Sequence, residues 1–315
     1  MGDLTPKIAF VFSPQGSQTP GMGKDLYENL PVCAEVFETA NEALGFDLAA
    51  ICFNGPEEEL RNTEVAQPAL LTTSIAALRA LESEGFSPAA VAGHSVGEYA
   101  ALVAAGAIAF EDGVRLVRRR GELMSQAGAN ADGAMAAIIG VSSDEVSRIV
   151  ADAAESDVLN VANYNSPEQT VISGARPAVE RACELAKSRG AKRALLLNVS
   201  GAFHSKLMNT AAERMREELA NVSINAPKTP IVANVLADYA ATPEQIRESL
   251  VNQLSGSVRW VDSIRKMSAD GCGVFVEAGI GQALVGMIKR IAPEAKTAAV
   301  SDTASLAAFV GMMKS

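Results

Sequence analysis

The pentapeptide Gly93-His94-Ser95-Val96-Gly97 constrains the fold more than any other part of this chain. It lies between an apolar stretch, 89–92, that predicts a strand and a stretch, 96–105, that predicts a helix. In a nucleophile elbow, a sharp turn of this kind holds a serine hydroxyl above the edge of a sheet, and glycines two residues to either side allow backbone and helix to approach closely. The pentapeptide therefore predicts an elbow, with Ser95 as a candidate nucleophile that forms an acyl-enzyme.

Composition narrows the classes of partner and chemistry. The 315 residues carry a net charge of −10, which disfavours binding to nucleic acid or to an anionic membrane. Two histidines and four widely spaced cysteines disfavour a zinc site and indicate a reduced, metal-free, cytoplasmic protein. The first apolar run, 8–12, is too short for a signal-peptide core or a membrane span and predicts a buried strand.

Up to residue 130 the pattern alternates between strand-like and helix-like segments. The strand at 8–12 is followed by amphipathic stretches around 32–44, a long helix-like run at 67–84 and the elbow strand. This alternation predicts an α/β domain with a mostly parallel sheet.

A smaller unit follows. The predicted order is strand 134–141, helix 143–155, strands 158–163 and 169–173, helix 177–189 and strand 194–198. This β-α-β-β-α-β order is typical of a ferredoxin-like domain. Ser143 with Asp144 and Glu145 at the first helix start, and Gly190 after the second helix, supply the expected cap residues.

Larger elements return after residue 199, with helices at 206–220 and 243–254 and strands at 231–235 and 274–277. We therefore predict a catalytic domain from 1–130 and 199–315, interrupted by a ferredoxin-like insert at 131–198. The glycines and alanines of 128–133 form the candidate hinge.

A serine nucleophile needs a base, and histidine is the usual one. His94 is adjacent to Ser95 on a tight turn, so its side chain should point away from that of the serine. His204 is therefore the candidate base, and a structural role for His204 stays open. No carboxylate stands out by its position as the third member of a triad.

The tetrahedral oxyanion of an acyl transfer needs two N–H donors. In an elbow one of them belongs to the residue after the nucleophile, here Val96. The loop 14–18, which follows the first strand, is the candidate for the second, although it reads equally well as an ordinary turn.

Three consecutive arginines, 118–120, lie in a helix-like stretch after the elbow helix. Such runs are usually solvated, but at 100° per residue they cannot all point the same way, and one of them could turn inward and bind an anion.

Together these residues resemble those of the malonyl-CoA:acyl carrier protein transacylases of type II fatty-acid synthesis and the acyltransferase domains of polyketide synthases. The matching stretches span nearly the whole chain: 15–18 with 21–23, 67–69, 93–98, 120–121, 163–167, 201–205 and 253–254.

The resemblance implies an α/β-hydrolase-like domain with a ferredoxin-like insert and a ping-pong transfer of malonyl through Ser95. It implies that His204 is the base, that the N–H groups of Val96 and Gln15 form the oxyanion hole, and that the backbone carbonyl of Gln253 orients the histidine. It further implies that no metal or cofactor is needed. Substrate-binding roles are implied for Arg120, which would hold the malonyl carboxylate, and for Phe203, Gln67, His94 and Asn165.

Two of these positions leave alternatives. Phe203 matches the bulky residue of malonyl-selective members, and a plain core role stays open. Pro14 departs from the usual Pro-Gly before the loop glutamine, so the aim of the Gln15 N–H could differ; Ile280 stands where relatives often carry proline.

An acidic acyl carrier protein would need a local basic patch on this acidic chain. The candidates are Lys187, Arg189, Lys192 and Arg193, with Lys289 and Arg290. We expect a monomer. The alternatives to fatty-acid synthesis are a serine thioesterase or esterase, a polyketide-pathway acyltransferase, and a catalytically silent subunit that docks a carrier protein.

Overall fold

The computed structural model describes residues 7–314, and its two sheets confirm the predicted α/β fold class. The larger sheet has six strands, β1 (Lys7–Phe12), β2 (Ala90–Gly93), β7 (Ile231–Ala233), β8 (Asp238–Tyr239), β9 (Cys272–Ala278) and β10 (Lys296–Val300). Their order is β10-β9-β1-β2-β7-β8, and every pairing is parallel except that of β7 with β8 at one edge.

Helices cover this sheet on both faces. They are α1 (Lys24–Asn29), α2 (Pro31–Leu44), α3 (Leu48–Asn54), α4 (Glu57–Arg61), α5 (Thr63–Ser83), α6 (Gly97–Ala104), α7 (Phe110–Ala129), α10 (Asn209–Ala220), α11 (Pro243–Ser255), α12 (Trp260–Ala269), α13 (Ala283–Ile291) and α14 (Thr303–Lys314). Phe10 and Phe12 of β1 face one helical layer, whereas Ala9 and Val11 face the other. A strand buried on both faces is apolar throughout, which is why 8–12 has no polar alternation.

The smaller sheet has four strands, β3 (Gly133–Ile139), β4 (Leu159–Ser166), β5 (Gln169–Ala175) and β6 (Arg193–Leu196), with helices α8 (Ser143–Ala154) and α9 (Arg176–Ser188). All of its pairings are antiparallel, in the order β4-β5-β3-β6. The predicted β-α-β-β-α-β succession is therefore present. The division of the chain at 130/131 and 198/199 stays a prediction, as does the hinge; α7 runs through Gly128 to Ala129.

One face of the small sheet packs on its own helices and the other on the main core. Ala134, Ala136 and Ile138 belong to the cluster beneath α8 and α9, whereas Met135 and Ala137 belong to the main cluster. The alternation along β3 thus joins the two sheets through a continuous apolar interior.

Several predicted boundaries were displaced. Ser142, and not Ser143, caps α8, because its side chain accepts a hydrogen bond from the Glu145 N–H. The strand predicted at 194–198 ends at Leu196, and the helix predicted at 206–220 begins with a 3₁₀ turn, Lys206–Met208. Gly190 follows α9 with φ of 90°, as a glycine that ends a helix should.

None of the helices within residues 7–314 combines the length and apolar character needed to cross a membrane. The four cysteines are unpaired and buried, and burial raises the pKa of each thiol.

Candidate active site

The site lies where β1 and β2 end side by side. Phe12 pairs with Gly93, so the loop that contains Gln15 and the turn that contains Ser95 leave the same edge of the sheet. Ligand sites of open α/β sheets lie at this edge, outside the carboxyl ends of the strands.

Ser95 occupies a sharp, strained turn between β2 and α6. Its φ is 54°, a left-handed value that is uncommon for a residue with a side chain. A Cβ on Gly93 would come within 1.9 Å of the Gly97 backbone, and one on Gly97 within 2.2 Å of the Phe12 oxygen. Both flanking positions therefore require glycine, for the reason that the sequence suggested.

Ser95 and His204 are brought together across 109 residues of sequence. Ser95 Oγ lies 2.8 Å from His204 Nε2, and His204 Nδ1 lies 2.7 Å from the Gln253 backbone oxygen. Because a carbonyl only accepts, Nδ1 carries the proton and Nε2 is left free to accept the Ser95 hydroxyl proton. The far ring nitrogen is thus held by a backbone carbonyl rather than by a carboxylate.

The His204 imidazole is held neutral by its surroundings. Burial, followed by the nearby positive charge of Arg120, lowers the pKa of His204 from 6.5 to about 3. The backbone is also fixed, because the His204 N–H donates to the Leu254 oxygen and the residue has a φ of 58°. The ring is therefore available as a proton acceptor at neutral pH.

Of the three consecutive arginines on α7, one turns inward. Arg120 is 1% exposed, whereas Arg118 and Arg119 contact the surface carboxylate of Glu122. Arg120 Nη2 donates to Ser95 Oγ at 3.2 Å and to Gln253 Oε1 at 2.8 Å.

The partners of Arg120 are neutral. Its Nη1 donates to Gln67 Oε1 at 2.8 Å, and its Nε is buried with no hydrogen-bond partner in the described chain. Within residues 7–314 no carboxylate oxygen lies within 4.0 Å of this guanidinium. A buried cation beside the candidate nucleophile is therefore able to accept an anionic ligand.

His94 points away from Ser95, as its place on the turn requires. Its Nε2 lies 2.8 Å from Asn165 Oδ1, on β4 of the small sheet, and its ring lies against Trp260. Burial lowers the pKa of His94 to about 4. The elbow is thus linked directly to the small sheet.

Val96 and Gln15 lie on the two adjoining turns. Val96 immediately precedes α6, and the first N–H groups of a helix have no acceptor within it. The Gln15 side chain donates to Thr63 Oγ1 at 3.2 Å. Beside it, Ser13 Oγ donates to Glu277 Oε1 at 3.0 Å, which fastens the Pro14 loop to β9.

Phe203 is 6% exposed and packs in the main hydrophobic cluster beside the His204 backbone. Its position is compatible both with a core role and with a role in shaping the acyl pocket.

Sequence reasoning missed two polar residues of the site. Asn234 follows β7, and its Oδ1 accepts the Ser95 N–H at 2.8 Å. Glu98, in the first turn of α6, accepts from the Gln253 side chain at 2.7 Å. The signal for Asn234 was a polar residue within the apolar stretch predicted as a strand at 231–235; that this strand pairs with the elbow strand is seen only in the structure.

Residues 9–315 match the family model described as acyl transferase domain. A malonyl CoA-acyl carrier protein transacylase of Bacillus subtilis is 46% identical over 309 residues, which is 98% of each chain. The crystal structure of an acyl carrier protein S-malonyltransferase from Vibrio cholerae is 45% identical with a TM-score of 0.94, covering 96% of this chain and 99% of that one.

A third match is the structure of a type II polyketide synthase acyl carrier protein in complex with its malonyl-transacylase. It is 42% identical with a TM-score of 0.94 and covers 97% of this chain and 99% of that one. The chain belongs to the malonyl-CoA:acyl carrier protein transacylase family, as its motifs predicted.

Proposed function

We propose that this protein transfers malonyl from malonyl-CoA to the phosphopantetheine thiol of an acyl carrier protein, in fatty-acid synthesis, through a malonyl-serine. The observation that carries the proposal is the buried Arg120, whose partners are neutral, 3.2 Å from the hydroxyl of Ser95. An acyl group that bears a carboxylate is the substrate such a site suits. Catalysis needs no metal or cofactor.

In the first half-reaction Ser95 Oγ attacks the thioester carbonyl carbon while its proton passes to His204 Nε2. The oxyanion that forms accepts hydrogen bonds from the N–H groups of Val96 and Gln15. When the tetrahedral intermediate collapses, the carbon–sulfur bond breaks and the CoA sulfur takes the proton from His204. The second half-reaction repeats these steps with the carrier thiol as nucleophile and Ser95 Oγ as leaving group.

Arg120 holds the malonyl carboxylate beside the reacting carbonyl. Gln67 and Gln253 accept from its two terminal nitrogens and so fix the plane of the guanidinium. A buried contact between a guanidinium and a carboxylate contributes about 1.5–3 kcal/mol, which is roughly a tenfold to hundredfold preference for malonyl over acetyl.

Three further residues shape the acyl pocket. Phe203 excludes a branched acyl group by its bulk, and His94 with Asn165 holds the wall between the elbow and the small sheet.

The carrier protein docks on exposed basic residues. Of the candidates, those without an ion pair to a carboxylate of this chain suit that role better. Lys187, Arg189 and Lys192 each contact a carboxylate of their own domain. In the described part of the chain Arg193, Lys289 and Arg290 have no such partner, and all three are exposed. These three carry the docking, because their charge is not already neutralised.

Intact mass after incubation with malonyl-CoA tests the function. We expect a malonyl adduct that is absent in Ser95→Ala and that is lost when a phosphopantetheinylated carrier protein is added. Rapid release of free malonate without an acceptor would indicate a thioesterase. The absence of any adduct would favour a silent docking subunit.

A further inference from the structure

Glu98 is a buried acid at the base of the elbow, to which the mechanism above gives no role. It is 2% exposed, in the first turn of α6. Its Oε2 accepts two hydrogen bonds, one from Gln253 Nε2 at 2.7 Å and one from the Asn234 N–H at 3.1 Å. A carboxylate at this depth accepts strongly, because little water competes for it.

The first of these bonds fixes the orientation of the Gln253 amide. Gln253 Oε1 accepts from Arg120 Nη2, while Gln253 Nε2 donates to Glu98. Nε2 also lies 3.0 Å from the Ser95 backbone oxygen and 3.3 Å from Asn234 Oδ1. Since a guanidinium only donates and the groups on the other side accept, the amide has a single allowed orientation. Glu98 supplies the shortest of the three contacts of Nε2, and the other two acceptors are neutral. Above pH 7, where Glu98 is mostly ionised, a neutral side chain thus joins a buried anion to a buried cation.

The second bond, from the Asn234 N–H to Glu98, involves a residue that also contacts the elbow. Asn234, whose backbone N–H donates to Glu98, accepts the Ser95 N–H through Oδ1 and donates to the Gly93 oxygen through Nδ2. Glu98 Oε2 therefore accepts from two residues, Gln253 and Asn234, that both contact the backbone of Ser95.

We propose that Glu98 is a positioning residue for acyl selection: its carboxylate fixes the Gln253 amide, and through that amide the orientation of the Arg120 guanidinium toward the acyl carboxylate. The inference rests on the carboxylate-binding role proposed for Arg120. Burial raises the pKa of Glu98 to about 7, against the opposing effects of Gln253, Asn234 and Arg120. Glu98 touches no reacting atom and acts through Gln253.

The test is the ratio of malonylation to acetylation of Ser95, each measured as kcat/KM with the corresponding CoA thioester. Glu98→Ala removes the nearest of the three acceptors of Gln253 Nε2, and the one that can carry a charge. The amide is then held on that side only by two neutral oxygens, so its grip on Arg120 should loosen. We expect the ratio to fall roughly twofold to tenfold, which is less than in Arg120→Ala, because Arg120 and two neutral acceptors of the Gln253 amide remain. Glu98→Gln keeps an acceptor oxygen without the charge and should give a smaller fall.

Glu277→Ala is the matched control. It also deletes a buried carboxylate near the site, but Glu277 contacts Ser13 and the Val285 N–H rather than Gln253. Any loss should be equal for the two acyl groups, so that the ratio is unchanged. If removing any buried carboxylate weakened the fold enough to change acyl selection, the ratio would fall in both Glu98→Ala and Glu277→Ala. That outcome would overturn the proposal.

A second comparison tests the route through Gln253. In a Gln253→Ala background, adding Glu98→Ala should lower the ratio no further; an independent further fall would overturn the proposal. If Arg120→Ala lowers the ratio but Glu98→Ala leaves it unchanged, the proposal for Glu98 is overturned. Glu98→Gln takes the place of Glu98→Ala if the alanine variant does not fold. If Arg120→Ala itself leaves the ratio unchanged, the role of Arg120 fails, and this inference with it.

Discussion

The charges at the elbow are buried, whereas those on the helices of the four-stranded sheet lie at the surface. At the elbow, Arg120 and Glu98 are buried and are joined through the neutral amide of Gln253. On the small domain, Arg189 contacts Asp152 and Glu145 directly in solvent. The buried charges of Arg120 and Glu98 therefore interact strongly with groups at the site. Water screens the surface ion pairs of Arg189, so they contribute little to stability.

The largest effect should come from removing the base. We expect His204→Ala to lower the rate of Ser95 acylation by about 10²–10⁴-fold, since the hydroxyl loses its proton acceptor. The measurement is the rate of adduct formation by intact mass, with circular dichroism as the check on folding. A loss of less than tenfold would assign the base to another group.

The next effect separates two neighbouring arginines. Arg120→Ala should lower the malonyl-over-acetyl preference by roughly ten- to a hundredfold, whereas Arg119→Ala should leave it unchanged. Arg119 is the matched control because it lies on the same helix but contacts the surface carboxylates of Glu122 and Glu218. Equal effects from both variants would mean that burial does not distinguish them.

The pH dependence of acylation tests the electrostatics of the elbow. Because the pKa of His204 is lowered from 6.5 to about 3, the neutral base persists as the pH falls, and the acidic limb should lie well below pH 6.5. Acetyl-CoA is the substrate to use, since its acyl group does not titrate. A limb at pH 6.5 would show an ordinary, solvated imidazole.

Glu98→Gln is the control for this profile. The pKa of Glu98 is raised to about 7, so a limb near pH 7 that disappears in this variant belongs to Glu98 and not to His204.

The smallest effect should come from the small-domain surface. Arg189→Ala removes two surface ion pairs and should leave the urea midpoint of unfolding almost unchanged, because water screens both pairs. Urea unfolding measures it. A large fall in the urea midpoint would show that the surface ion pairs of Arg189 contribute as much as buried ones.

Much of the fold was predictable because its signals are local. The apolar run of β1, the close approach of Gly93 to Gly97 and the cap at Gly190 each reflect a constraint within a few residues. The edge strand β8 and helices α12 to α14 were not predicted, because short or mixed patterns become elements here through packing against the sheet.

The sequence by itself determined the elbow at Ser95, because glycines two residues to either side of a serine, between a strand and a helix, are the pattern of that turn. It left His204 as the remaining histidine able to serve as a base. It also showed that three arginines on one helix cannot share a face. Only the tertiary structure decided that Arg120 is the buried arginine and that Gln67 and Gln253 accept hydrogen bonds from it. These partners are far apart in the chain, and their meeting depends on how helices from distant segments pack over one end of the sheet.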